Sequence, residues 1–170
     1  SIAILRVLES HGIKADAAAG HSIGEYAALT AAGVISFTDG LKLVRKRGEI
    51  MNEAAQNNPG TMAAILGLDE KSVRDVCANA SNKGVVEIAN YNSSSQIVIS
   101  GQIDAVKEAG ELAKEAGAKK VIPLSVSGGF HSSLMESASG LLANELAHIQ
   151  INDIRIPVIA NVTADYISSA

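Results

Sequence analysis

Tryptophan is absent from this sequence, cysteine occurs once, and aromatic residues make up only 3% of the 170 positions. A lone Cys77 excludes a disulfide framework and leaves no CxxC pair to hold zinc, so it reads as a small apolar filler in a reducing, cytoplasmic compartment. With so few rings, the core has to be assembled from Ala, Val, Ile and Leu, which suits helices packed on buried strands. No apolar run approaches the roughly 18 residues of a membrane span, and no signal-peptide pattern opens the chain. The formal charge is −4 and the Lys and Arg residues are scattered, which argues against a nucleic-acid surface. What the chain does have is 47% apolar against 19% charged residues, enough for a core and incompatible with disorder. At this length one domain, or a domain with an insert, is expected.

The chain opens inside an amphipathic pattern already under way, with Ile2, Leu5 and Leu8 at helical spacing. A strand reading at 156–160 lies close to the other end, and both ends read as interior to a longer protein. Between them, 1–11 reads as a helix stopped by Gly12 and 16–19 as a short strand. The turn 20–24 leads into a helix over 25–32 ended by Gly33. A long helix over about 38–56 has Ser36 or Thr38 as its cap, and 57–60 breaks it. Residues 61–125 have their own rhythm: a strand at 61–67, a helix at 70–79 capped by Asp69, strands at 85–90 and 96–100, a helix at 104–116 and a strand from 120. That β-α-β-β-α-β order is the split pattern of a ferredoxin-like unit, and it interrupts the larger pattern as an insert. The loop 127–131 then precedes a helix over 132–148. The outer segments, 1–60 and 126–170, form an α/β layer pattern that predicts a mostly parallel sheet.

Gly20-His21-Ser22-Ile23-Gly24 matches G-x-S-x-G. A sharp strand-to-helix turn of this kind lifts a serine hydroxyl off the sheet, and the flanking glycines remove side chains that would clash in it. The following helix brings the Ile23 amide to its positive end, where an oxyanion would form. The competing reading is a glycine-rich turn with Ser22 in solvent. Of the four histidines, His11 ends a helix, His148 sits late in one, and His21 adjoins the serine in a turn where neighbouring side chains diverge. By elimination His131 is the best base, in a Gly-Gly-Phe-His loop that a scaffold could aim at Ser22; a histidine satisfied by backbone remains the alternative. Asp104 falls between the two in chain order but reads better as the N-cap of its own helix.

On a wheel of about 100° per residue, Leu41, Leu43, Val44, Gly48, Ile50, Met51 and Ala54 fill one half of the long helix, and Arg47 falls inside that half while Arg45 and Lys46 face out. A guanidinium turned toward a core needs an anionic partner. Arg47 therefore pairs with a protein carboxylate or receives a ligand carboxylate in its planar fork.

Together these pieces resemble the malonyl-CoA:acyl carrier protein transacylase family over nearly the whole chain. The resemblance rests on Ala19-Gly20-His21-Ser22-Ile23-Gly24-Glu25-Tyr26, on Val44-Arg45-Lys46-Arg47-Gly48, on residues 89–101 from Ala89-Asn90-Tyr91-Asn92 to Ile99-Ser100-Gly101, and on Phe130-His131-Ser132-Ser133-Leu134-Met135. It implies a hydrolase-like α/β core carrying the ferredoxin-like insert. It also implies that Ser22 accepts the acyl group, His131 is its base, Arg47 binds the free malonyl carboxylate and the Ile23 amide is one oxyanion donor. Asn92 matches a family position near the site. Ile23 and Phe130 resemble the malonyl type rather than the methylmalonyl type, with Phe130 filling the space an α-methyl needs.

The implied reaction moves malonyl from coenzyme A to the phosphopantetheine thiol of acyl carrier protein in fatty acid biosynthesis, with no metal or other cofactor, in a monomer. The alternatives are a serine esterase or thioesterase using water, and a non-catalytic piece or docking module. Two departures stand out. The family usually has Pro where this chain has Gly129 and Ser94, which implies looser loops. The family also begins with a strand and a Gly-Gln-Gly type loop and continues past residue 170, so the chain is expected to be the middle of the enzyme.

Overall fold

The computed structural model describes residues 1–167, so the last three residues of the expected segment 126–170 lie outside it. The chain forms two compact units: Ser1–Arg47 with the segment from Ala143 onward, and Gly48–Leu142.

In the first unit, α1 (Ile2–Ser10) is followed by a two-residue strand β1 (Ala18–Ala19) and by α2 (Gly24–Ala31). Gly33, at φ +78, ends α2 in the left-handed conformation that favours glycine. The helix α3 (Phe37–Asn57) then begins. Ser36 caps it: its Oγ accepts from the Asp39 amide at 3.0 Å and donates to the Asp39 carboxylate at 2.7 Å. The strands β6 (Val158–Ile159) and β7 (Tyr166–Ile167) complete a three-stranded sheet in the order β1-β6-β7. Of the mostly parallel sheet expected, the described residues hold one parallel pair, β1 with β6, and one antiparallel pair, β6 with β7. The register sets Ala19 beside Ile159. Its core joins Ala28, Ala32, Val34, Ile35, Leu43 and Val158, which are aliphatic as the composition requires.

In the second unit, β2 (Thr61–Leu66), α4 (Glu70–Ala80), β3 (Val86–Ser93), β4 (Gln96–Gly101), α5 (Ile103–Glu115) and β5 (Lys120–Pro123) follow the expected β-α-β-β-α-β order. The sheet is antiparallel throughout, in the order β3-β4-β2-β5. The two central strands are buried on both faces, and their alternation divides them. Ala63, Ile65, Ile97 and Ile99 face Val73, Val76, Cys77, Ala105, Val106, Ala109 and Ala113 of the helices. Met62, Ala64 and Val98 face the other way, toward Leu124 and Phe130. Alanines at four-residue spacing let α5 lie close on the sheet.

Asp69 caps α4 as expected, its carboxylate accepting from the Ser72 amide at 2.8 Å. Asp104 does not cap α5. The N-cap is Gln102, and Asp104 lies within the first turn, where its charge suits the helix dipole. The helix expected over 132–148 is a 3-10 turn, Ser133–Met135, leading into α6 (Glu136–Leu146). At its start Ser133 gives both its amide and its hydroxyl to the Glu87 carboxylate, at 2.8 and 3.0 Å, which satisfies an amide that has no partner within the helix.

Cys77 lies in the helix-facing core, and burial pushes its thiol up to about 11. It will therefore stay protonated and resist iodoacetamide at pH 8 in the native protein, and react once the chain is unfolded in guanidinium; mass spectrometry of the two samples checks this.

Candidate active site

Ser22 sits between β1 and α2 at φ +52, a left-handed conformation that is strained for a residue with a Cβ. The turn is closed by His21 C=O, which accepts from Gly24 N–H at 2.9 Å, and by Ser22 C=O, which accepts from Glu25 N–H at 3.1 Å. A methyl group on Gly20 would lie 2.1 Å from the Gly24 carbonyl, so only glycine fits there. Gly24 differs: a Cβ at that position would meet nothing within 4 Å. The pair of glycines expected to relieve one clash is thus one obligatory glycine and one with space around it. Ile23 is the N-cap of α2, half exposed, with its backbone at the positive end of the helix.

Arg47 reaches this turn from α3. Its Nη2 donates to Ser22 Oγ at 3.0 Å, and its guanidinium lies 6.0 Å from the Tyr26 ring centroid. Both Arg47 and Ser22 are half-buried. Arg47 is received by a hydroxyl and an aromatic ring, neither of which carries a charge that offsets its own. Burial raises the Tyr26 phenol above its usual range, with Arg47 pulling the other way. The helical wheel is right for Arg47 and wrong for Leu41, which is exposed; the buried stripe is narrower than the apolar half and centres on Leu43, Ile50 and Ala54.

Sequence reasoning did not single out Asn161. Its Oδ1 accepts from the Ser22 amide, and its own N–H donates to Glu25 Oε1 at 2.9 Å. Only strand pairing could have exposed it, since 139 residues separate it from Ser22.

His131, Phe130 and Asn92 belong to the second unit. His131 is exposed and, like Ser22, left-handed, at φ +60. The loop before it is tightly held. A Cβ on Gly128 would meet the Ala55 Cβ at 2.5 Å, and one on Gly129 would meet Leu134 Cδ1 at 2.9 Å and the Gly101 carbonyl at 3.0 Å. The buried Ser132 hydroxyl donates to Gly129 C=O at 2.6 Å. Close approach of neighbouring atoms thus leaves little room for a side chain at Gly128 and Gly129, and Glu87 holds Ser133 on the other side of His131. Phe130 is half-buried against Met62, Ala64 and Val98. Asn92 is exposed near the β3–β4 turn, donating to Gln96 Oε1 at 3.0 Å. Among the described residues no group of three or more His, Cys, Asp or Glu could hold a metal ion, and no helix is long and apolar enough to cross a membrane.

A mixed α/β chain with a serine raised at a strand–turn–helix junction, and an arginine on its hydroxyl, has the architecture of proteins that carry an acyl group on serine. The chain belongs to the acyl transferase domain family, which it matches over residues 1–169. It is 51% identical over 166 residues to the malonyl CoA-acyl carrier protein transacylase of Bacillus subtilis (strain 168), covering 97% of this chain and 52% of that protein. Among solved structures it is similar to MCAT from Streptococcus pneumoniae, with a TM-score of 0.92 and 46% identity over 98% of this chain and 54% of that one. It is also similar to a type II PKS acyl-carrier protein's malonyl-transacylase, solved in complex with that carrier, with a TM-score of 0.94 and 41% identity over 99% of this chain and 55% of the other. The chain spans about half the length of the curated relatives it matches.

Proposed function

We propose that this chain carries the nucleophile, base and acyl-selecting arginine of a malonyl-CoA:acyl carrier protein transacylase of fatty acid biosynthesis. The observation that carries the reading is the 3.0 Å hydrogen bond from Arg47 to Ser22 Oγ. It sets a cation one hydrogen bond from the candidate nucleophile, where an acyl group bonded to that oxygen would extend its free carboxylate. The relatives' names support the same substrate class.

In this reading His131 takes the proton of Ser22 as Oγ attacks the thioester carbon of malonyl-CoA. The tetrahedral oxyanion is met by the Ile23 amide. The C–S bond breaks, coenzyme A leaves as its thiol with the proton from His131, and a malonyl-serine ester remains. The phosphopantetheine thiol of acyl carrier protein gives its proton to His131 and attacks that ester. The C–O bond breaks and Ser22 recovers the proton. Arg47 moves from the hydroxyl to the malonyl carboxylate, gripping it through two N–H groups. Phe130 restricts the space beside the malonyl α-carbon, and Asn92 lines the approach. The substrate thioester supplies all the chemistry, without a resident cofactor.

The fold that goes with this reading is a hydrolase-like core from 1–60 and 126–170 with a ferredoxin-like insert at 61–125. The β-α-β-β-α-β order and antiparallel strand order of the second unit support the insert. A cytoplasmic monomer is the setting that fits fatty acid synthesis.

The test is incubation of the protein with malonyl-CoA, with and without acyl carrier protein. We expect a malonyl mass increment on the peptide containing Ser22 and its discharge to the carrier thiol. Free malonate released equally fast in both samples would instead make the protein a thioesterase, and no label at all would make this chain non-catalytic.

A further inference from the structure

The strained turn is held by a closed ring of hydrogen bonds that no sequence motif encodes. Asn161 Oδ1 accepts from the Ser22 amide, Asn161 N–H donates to Glu25 Oε1 at 2.9 Å, and Glu25 N–H returns to Ser22 C=O at 3.1 Å. Both backbone polar groups of Ser22 are thereby engaged. The topology explains the meeting. Ser22 follows the carboxyl end of β1, Asn161 follows the carboxyl end of β6, and these strands are parallel neighbours in register. Asn161 opens the β6–β7 turn, itself tied by Ala160 N–H to Asp165 C=O at 2.9 Å.

We propose that Asn161 is the positioning residue of the nucleophile: its amide oxygen, anchored through Glu25, holds Ser22 at positive φ and so aims Oγ. The ring also engages the Ser22 N–H, so the oxyanion is left to the Ile23 amide rather than to the serine's own. A neutral amide suits the place. It accepts a hydrogen bond without setting a second negative charge beside Glu25 and the developing oxyanion. The inference rests on Ser22 being the acyl acceptor, and its test has one readout that does not.

Asn161→Ala in the intact protein is expected to slow malonylation of Ser22 on the order of tenfold, as for loss of one positioning hydrogen bond. KM for malonyl-CoA and the malonyl-to-acetyl ratio should move less than about twofold, because Arg47 is untouched. Asn161→Asp keeps the oxygen acceptor but sets a second negative charge beside Glu25 and the oxyanion, so it is expected to restore slow exchange of the Ser22 amide while recovering only part of the rate. Independently of any turnover, the Ser22 amide should exchange slowly with deuterium in the parent protein and fast in Asn161→Ala. If Asn161→Ala does not fold, Glu25→Ala against Glu25→Gln reads the same ring, the glutamine retaining Oε1. Parental rate and parental exchange in Asn161→Ala, or a Glu25→Ala indistinguishable from Glu25→Gln, overturn the assignment. A parent protein that never acylates but loses Ser22 protection on Asn161→Ala refutes the transferase reading and leaves the brace standing.

Discussion

Ser22→Ala, His131→Ala and the double variant will all transfer malonyl to acyl carrier protein at nearly the same residual rate, about 10⁴-fold or more below the parent. The serine is the only oxygen that can carry the ester in the proposed mechanism, and it is a weak nucleophile while its proton stays on. The imidazole is useful only if that proton leaves with it. Groups that act in one step fail together, so the second deletion adds little to the first. The measurement is the rate at which malonyl appears on the acyl carrier protein thiol, followed by mass spectrometry of the carrier for the three variants, with folding verified by thermal unfolding. Losses that multiply would mean that His131 acts elsewhere than on Ser22. A His131→Ala variant within a few-fold of the parent would remove it from the mechanism. The two residues lie in different units of the chain, so this experiment tests their pairing directly.

Arg47→Ala will lower malonylation by about 30- to 1000-fold while acetylation of Ser22 holds steady or rises. The expected loss corresponds to roughly 2–4 kcal/mol for a charge-assisted contact to a carboxylate. Acetyl has no carboxylate, so it leaves the guanidinium on the Ser22 hydroxyl and gains nothing from it. Arg47→Lys should recover only part of the malonyl rate, since an ammonium cannot reproduce the planar fork. Competition between malonyl-CoA and acetyl-CoA for Ser22 measures both rates in one tube. A variant that still prefers malonyl would assign the selection to another group. The Tyr26 ring beside Arg47 is apolar support for the guanidinium, and it carries no charge that could stand in for it.

Much of the fold could be read along the chain because local signals govern it. Asp69 announced its helix, and Ser36 was one of two caps offered for α3, since a short side-chain oxygen next to a helical run satisfies amides that the helix cannot. The split βαβ pattern survived in order because each of its strands and helices is long enough to show its own period. Failures occurred where a distant group intervened. The Ser133 amide and hydroxyl are received by Glu87, a partner invisible at a separation of 46 residues. Leu41 looked buried because the wheel knows polarity and not which side another element covers.

The candidate site divides the same way. Ser22, with Gly20 two residues before it, was legible because a sharp turn has a residue code: a left-handed serine, and a glycine where any Cβ would strike backbone. Arg47 was legible because helical periodicity placed a charge on an apolar side. Those are short-range consequences of covalent geometry, and the sequence by itself determined them. That Arg47 ends on the hydroxyl of Ser22, and that Asn161 accepts from its amide, was decided only by the tertiary structure. Parallel pairing of β1 with β6 brings together residues 139 apart, and such pairing is selected by the packing of whole elements rather than by any pattern within one.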